Sequence, residues 1–279
     1  MACDESATAF ELSEIPRVVP GMDRTTAVVR SIDDLAPQLA NSREYWLGWG
    51  DGEDDDLAMY RSDLPDPLLN GVMRSRNTDV ASVVDEVRRY FDGCPWYWRV
   101  APDSDAGVRE ALVEAGAVEA LTMPVMAFDL TALPDVPGTT GLRISVAEAT
   151  PQGIATFVRA YGPALGVPQE GLQATTENEF ARASRSDAEI RFIGWIDDRP
   201  VATSMLSVGH GVAGIYTVAT QATYQRRGIA TAMTLAALRA GYDLGMRVAT
   251  LQATAQGEPV YRRMGAKTVA HYHMMSFPQ

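Results

Sequence analysis

The stretch Gln225-Arg226-Arg227-Gly228-Ile229-Ala230 has the residue types and spacing of an anion site. It follows an apolar strand over 213–219 and opens an amphipathic helix over 231–244. The first turn of a helix carries backbone N–H groups with no intrahelical partner, and its dipole favours negative charge. Gly228 lets a phosphate approach the backbone closely, and Arg226 and Arg227 add positive charge beside it. The chemistry this loop fits is the binding of a phosphate-bearing ligand.

Regular elements must hold such a loop in place. Upstream, residues 142–148 alternate as a strand, and 151–164 and 169–184 read as helices. A strand over 189–196, the turn Asp197-Asp198-Arg199-Pro200 and a strand over 201–208 form a hairpin. Downstream come a buried strand over 247–253, a short helix that starts at Glu258 and stops at Gly265, and closing strands over 267–277. Residues 131–141 hold two prolines and two glycines, the mark of a linker. The earlier half has a helix over 78–91, a strand over 96–100, a helix within 104–117 and a strand over 122–130. Laying Gly116-Ala117 on Gly265-Ala266 sets the two closing segments 149 residues apart, about half the chain, as an internal duplication requires. No loop of the Gln225–Ala230 type precedes helix 78–91, and Leu112 stands where Tyr261 stands in the later half. The expected division is an arm at 1–23, a domain at 24–130, the linker at 131–141 and a domain at 142–279.

The loop reads Q-x-x-G-x-A, which resembles the pyrophosphate loop of the GNAT N-acetyltransferase superfamily. The resemblance runs from about residue 142 to 277 in the family's order; residues 214–220 are similar to its fourth strand, and Tyr261 with Gly265 matches its Y-x-x-x-G-F/A spacing. It implies an α/β (α+β) fold of two tandem GNAT-like domains, each a central mixed, mostly antiparallel sheet flanked by helices, with the N-terminal copy degenerate. It also implies an acetyltransferase that takes acetyl-CoA as cosubstrate, uses no metal, and passes the acetyl group to the primary amine of a small molecule by direct attack in a ternary complex. The rival expectation is a non-catalytic acyl-CoA-binding sensor or scaffold. On the family pattern Val218, Ala219 and Thr220 lie along the pantetheine arm, with a carbonyl-polarising backbone N–H near Val218. Gln225, Arg226, Arg227, Gly228, Ile229, Ala230 and Thr231 hold the diphosphate. Tyr261 gives a proton to the leaving thiolate, since a phenol of pKa about 10 stays protonated at neutral pH. Thr254 has two open readings, a contact with the coenzyme arm or a helix cap. The general base is open among His210, Glu177, Glu179 and a water chain.

Composition narrows the rest. The net charge of −12 disfavours nonspecific nucleic-acid binding, and it comes from residues 1–139, with 26 acids against 11 bases, while residues 140–279 are slightly basic. No apolar run is long enough for a membrane span, and the acidic start Met1-Ala2-Cys3-Asp4-Glu5 does not read as a signal peptide. Two cysteines make no disulfide framework, so a cytoplasmic location is expected, with a homodimer as one possible assembly. Cys94 is expected to be buried, the run Asp51-Gly52-Glu53-Asp54-Asp55-Asp56 to be a solvated loop, and His271 and His273 to share one face of a strand without forming a metal site.

Overall fold

The computed structural model describes residues 26–135, 138–186 and 188–278. The arm expected at 1–23, and Cys3 with it, lies outside them. The chain runs α1 (Leu35–Leu47), β1 (Leu57–Arg61), β2 (Asn70–Ser75), α2 (Val80–Tyr90), β3 (Tyr97–Val100), α3 (Val108–Glu114) and β4 (Val118–Asp129). It continues β5 (Arg143–Val146), α4 (Pro151–Tyr161), α5 (Leu172–Arg185), β6 (Glu189–Ile196), β7 (Arg199–Gly209), β8 (Val212–Thr220) and α6 (Ile229–Asp243). Last come β9 (Val248–Gln252), α7 (Glu258–Arg263) and β10 (Lys267–Ser276). No helix among the described residues is long and apolar enough to cross a membrane.

Two compact units emerge, and they do not follow the division expected from the sequence. A central unit is built on Asp129–Ala249, and a split unit joins Val29–Phe128 to Thr250–Gln279. One break between the units falls at Phe128/Asp129, just before the stretch expected as a linker, and α7 and β10 leave the half in which they were expected. The reason lies in strand pairing. β10 inserts between β3 and β4, antiparallel to both, with Met274 opposite Arg99 on one side and Leu121 on the other. The two closing strands expected over 267–277 are therefore one continuous strand with register shifts near Val269 and Met275.

In the split unit the strand order is β1-β2-β3-β10-β4, with only β2 and β3 parallel. Side chains alternate across this sheet. Val72, Trp98 and Met275 face α2 and α3 through Val84, Phe91 and Leu112. Met123, Tyr272 and Met274 pack instead with Leu39 of α1. The element run β2-α2-β3-α3-β4 repeats as β8-α6-β9-α7-β10. Val80 and Ile229 open α2 and α6, and Val118 and Lys267 open β4 and β10, each pair 149 residues apart.

The central unit is an antiparallel meander, β5-β6-β7-β8. Its helix α6 is rich in alanine and leucine, the strongest helix formers, and nearly all of it is buried. It ends as Gly245 turns left-handed at φ +96. Ser204 of β7 donates to the Met233 carbonyl of α6 at 2.8 Å, and Met205 on the other face meets Arg182 of α5 at 3.2 Å.

Beneath α5 lies a four-charge cluster. Glu179 accepts from Arg182 at 3.0 Å and from Arg191 at 2.9 Å, and Glu189 accepts from both arginines, at 2.6 Å from Arg191. None of the four side chains is more than 5% exposed. Burial alone pushes the Glu179 carboxyl up, but Arg182 and Arg191 outweigh it and the net direction is down. A depressed folded-state pKa adds stability that is complete above the unfolded value of about 4.3 and is lost as pH falls through the lower folded value. Glu179→Gln should cost about 3–5 kcal/mol, because it strands buried guanidinium charge. Urea titration at pH 7 checks the size. Below pH 4 the difference between wild type and variant should shrink.

Candidate functional site

The anion loop takes its shape from three backbone choices. A single 3-10 turn over Ala222–Tyr224 leads out of β8, and Gln225 donates through its side chain to the Thr220 carbonyl at 3.1 Å. Arg226 and Gly228 both have positive φ, +62 and +78. Gly228 is the N-cap of α6; no side chain caps that helix and its first turn holds no acid. The N–H groups at Ile229, Ala230 and Thr231 therefore sit at the positive end of a fifteen-residue helix with no side-chain acceptor. Arg226 and Arg227 are exposed, neither is in an ion pair among the described residues, and Arg227 lies over the Tyr224 ring at 5.7 Å. Gln225 through Thr231 thus lie together around this helix end.

Just upstream β8 is bulged. Thr203 pairs with Ala219 and Met205 with Tyr216, so Thr217 and Val218 together face Ser204. Thr217 has φ +48, rare for a β-branched residue, and its carbonyl accepts from the Thr203 hydroxyl at 2.7 Å. A bulge takes one residue out of the ladder and redirects the neighbouring backbone. It falls where a polarising N–H was expected, at Val218, with Ala219 and Thr220 following on the same strand toward the loop. Nothing in the sequence marks Thr203 or Thr217 for this role.

Residues 157–266 match the family model described as Acetyltransferase (GNAT) family. Among solved structures, a GCN5-related N-acetyltransferase from Kribbella flavida is 18% identical with TM-score 0.65, over 88% of this chain and 96% of its own. A tandem GNAT protein from the clavulanic acid biosynthesis pathway is 14% identical with TM-score 0.55, over 78% and 77%. A GNAT-family protein from Novosphingobium aromaticivorans is 13% identical with TM-score 0.53, over 87% and 96%. No curated protein matches the sequence. The chain carries a GNAT domain. At these identities the solved structures speak for the fold, and the matched residues reach from α4 through α7 to the start of β10.

Not every site residue expected from the GNAT pattern falls in the central unit. Tyr261 and Thr254 belong to the split unit. Tyr261 lies on α7 and is 9% exposed; burial pushes its phenol up to about 12. Thr254 accepts through its hydroxyl from the Gly257 N–H at 3.1 Å, holding the turn that leads into α7. Of the candidate bases, Glu179 is locked in the buried cluster and Glu177 is an exposed acceptor for Gln173. His210 sits at the β7–β8 turn, seven residues from Thr217 and so roughly 20 Å along the strand.

One other expectation changes. Cys94 is half-buried, with its thiol pushed up by what burial it has. The acidic run is an exposed loop, and two of its acids are paired: Asp54 bridges the buried Arg43 and Arg74 at 2.9 and 2.8 Å, and Asp56 bonds Arg76 and Asn77. His273 lies 3.3 Å from Glu119, and no group of three metal-binding side chains occurs among the described residues.

The matching helix of the split unit is closed where α6 is open. Asp79 caps α2 and accepts from the Ala81 N–H at 3.2 Å, placing a carboxylate at that helix's positive end. In the GNAT domain the corresponding position is Gly228. Gly228→Glu should abolish binding of coenzyme A, because it brings bulk and negative charge to the helix end. The strain of a side chain at φ +78 should cost only about 1–2 kcal/mol, leaving a folded protein. Calorimetric titration with coenzyme A, beside a melting curve, checks both halves.

Proposed function

We propose that the protein is an acetyl-CoA-dependent N-acetyltransferase that acetylates the primary amine of a small molecule. The observation that carries this reading is the uncapped N-terminus of α6, which follows the bulged β8 within one unit. The helix end takes the diphosphate, with Gly228 at the point of close approach and Arg226 and Arg227 adding charge. The pantetheine arm runs along Val218, Ala219 and Thr220. A backbone N–H near Val218 polarises the acetyl carbonyl, as a fixed dipole aimed at developing negative charge does. We place the protein in the cytoplasm.

The neutral amine attacks the carbonyl carbon; a C–N bond forms, the C–S bond breaks, and the sulfur leaves as thiolate while the nitrogen loses a proton to solvent. No side chain among the candidates is placed to act as a dedicated base. By the family pattern, Tyr261 is the group that answers the leaving sulfur. A phenol near pKa 12 gives up its proton reluctantly to a thiolate whose acid has a pKa of about 8.5. Its contribution is therefore a hydrogen bond that strengthens as charge gathers on sulfur, with the proton passing on later. Thr254 serves α7 in this scheme, and its hydroxyl is occupied by that turn.

The repeated element order supports an internal duplication whose first copy no longer binds coenzyme. Asp79 puts a carboxylate where a diphosphate would lie, and Leu112 takes the place of Tyr261. We therefore expect one coenzyme A per chain; a second calorimetric site would overturn that reading of the first copy.

The rival, a non-catalytic coenzyme-binding module, separates from the enzyme by thiol release. Purified protein with acetyl-CoA and a panel of primary amines should liberate free thiol, and a module that binds but releases none is no transferase. Tyr261→Phe keeps the ring and its packing, so acetyl-CoA affinity should hold while turnover falls by about 10²–10³, the cost of losing one donor to developing charge. A hydroxyl with a purely structural role would instead contribute about 1 kcal/mol to folding. A Phe variant with normal turnover and a lowered melting temperature would remove Tyr261 from the chemistry.

A further inference from the structure

Thr203 lies in the middle of β7 and is fully buried. Its neighbour Ser204 reaches the Met233 carbonyl of α6, so Thr203 stands on the opposite face of the sheet, toward α5. A side chain on a sheet face stands roughly perpendicular to the ladder, whose hydrogen bonds run between the strands. It can bond a carbonyl of the next strand only where that carbonyl has turned out of the ladder. The Thr203 hydroxyl does so. It donates to the Thr217 carbonyl of β8 at 2.7 Å, at the bulge where Thr217 has φ +48. A β-branched residue keeps such a conformation only when its surroundings hold it.

The Thr217 carbonyl and the Val218 N–H are the two ends of one peptide plane. The peptide is trans, so they point in opposite directions. Holding the carbonyl toward Thr203 therefore holds the Val218 N–H away from it. A hydrogen bond accepted at the carbonyl also polarises the peptide and strengthens its N–H as a donor. Thr217 and Val218 are the only residues of β8 that are not fully buried, so this peptide lies where the strand is open to a ligand.

We propose that Thr203 is a positioning residue for acetyl transfer, aiming and strengthening the Val218 N–H through the peptide that joins Thr217 to Val218. The proposal rests on the acetyl-transfer reading, which sets the thioester carbonyl against that N–H. Thr203 acts from the far side of the peptide and touches no reacting atom.

The test uses the full chain and acetyl-CoA labelled with ¹³C at the acetyl carbonyl, read by difference infrared spectroscopy without an acceptor amine. A carbonyl that accepts a strong hydrogen bond absorbs at lower frequency than the same group in free acetyl-CoA. The bound carbonyl should show that shift in wild type. Thr203→Val, nearly equal in size but without the hydroxyl, should lose most of it, and Thr203→Ser should keep it. Affinity for coenzyme A, which has no acetyl group, should hold in both. With an amine that is acetylated, kcat of Thr203→Val should fall about 10- to 100-fold, with KM for acetyl-CoA little changed, as for a catalytic group left misaimed. If Thr203→Val does not fold, Thr203→Cys takes its place, since a thiol is a weak donor, and it too should lose most of the shift. A shift kept in full by the Val or Cys variant, or lost in Thr203→Ser, overturns the proposal and leaves the acetyl-transfer reading standing. A wild type that binds acetyl-CoA without any shift overturns the Val218 contact itself. A wild type that binds no acetyl-CoA overturns the acetyl-transfer reading, and the proposal falls with either.

Discussion

The open positive end of α6 is the constraint around which the central unit is arranged. A helix terminus normally answers its first N–H groups with a side chain, and here the residue in that place is a glycine. Keeping the end open requires a loop that leaves β8, turns left-handed twice and starts the helix without a cap. Three uncommon backbone conformations, at Thr217, Arg226 and Gly228, fall within twelve residues. Strain gathers where surrounding structure can hold it, commonly at sites that bind or react. The holding parts are identifiable: Thr203 fixes the Thr217 carbonyl, Gln225 fixes that of Thr220, and Ser204 ties β7 to α6.

The two helices α2 and α6 show how small a change decides whether such an end is available. Both begin after a loop that follows a strand, and both precede a strand, a short helix and a long strand. Asp79 satisfies one end internally, and Gly228 leaves the other unsatisfied. The acids crowded into the first half of the sequence do comparable work elsewhere in the split unit, where Asp54 and Asp103 neutralise Arg43. Nearly all the described acids of that half stay exposed even so, and the buried partner in these pairs is the arginine.

Much of this was legible in the sequence, for physical reasons that can be named. Strands β6, β7 and β8 of the central unit read as short apolar runs and are buried almost throughout, and turn residues such as Asp197-Asp198-Arg199-Pro200 mark the hairpin between β6 and β7. Gly228 and Gly265 announce a helix start and a helix end, and both have the positive φ that such positions use. What escaped depended on partners far away in the chain. Strands β1 and β2 and helix α1 carry weak periodicity of their own; α1 buries Gln38, Asn41, Ser42 and Arg43 along with its apolar residues. The bulge at Thr217 is set by its pairing with β7 and leaves no mark in residue type.

The place of β10 has a consequence for how the chain acquires its structure during synthesis. Every residue of the central unit has been made once the chain reaches residue 249. The split unit must wait. Its sheet has a gap between β3 and β4 until Lys267–Ser276 arrive, after the whole central unit has been translated. Until then β3 and β4 present unpaired edges, the kind of surface that invites pairing with other chains. The earliest part of the protein to be translated is therefore among the last to finish folding, and the interval in which it needs protection is set by the time taken to build the unit in the middle.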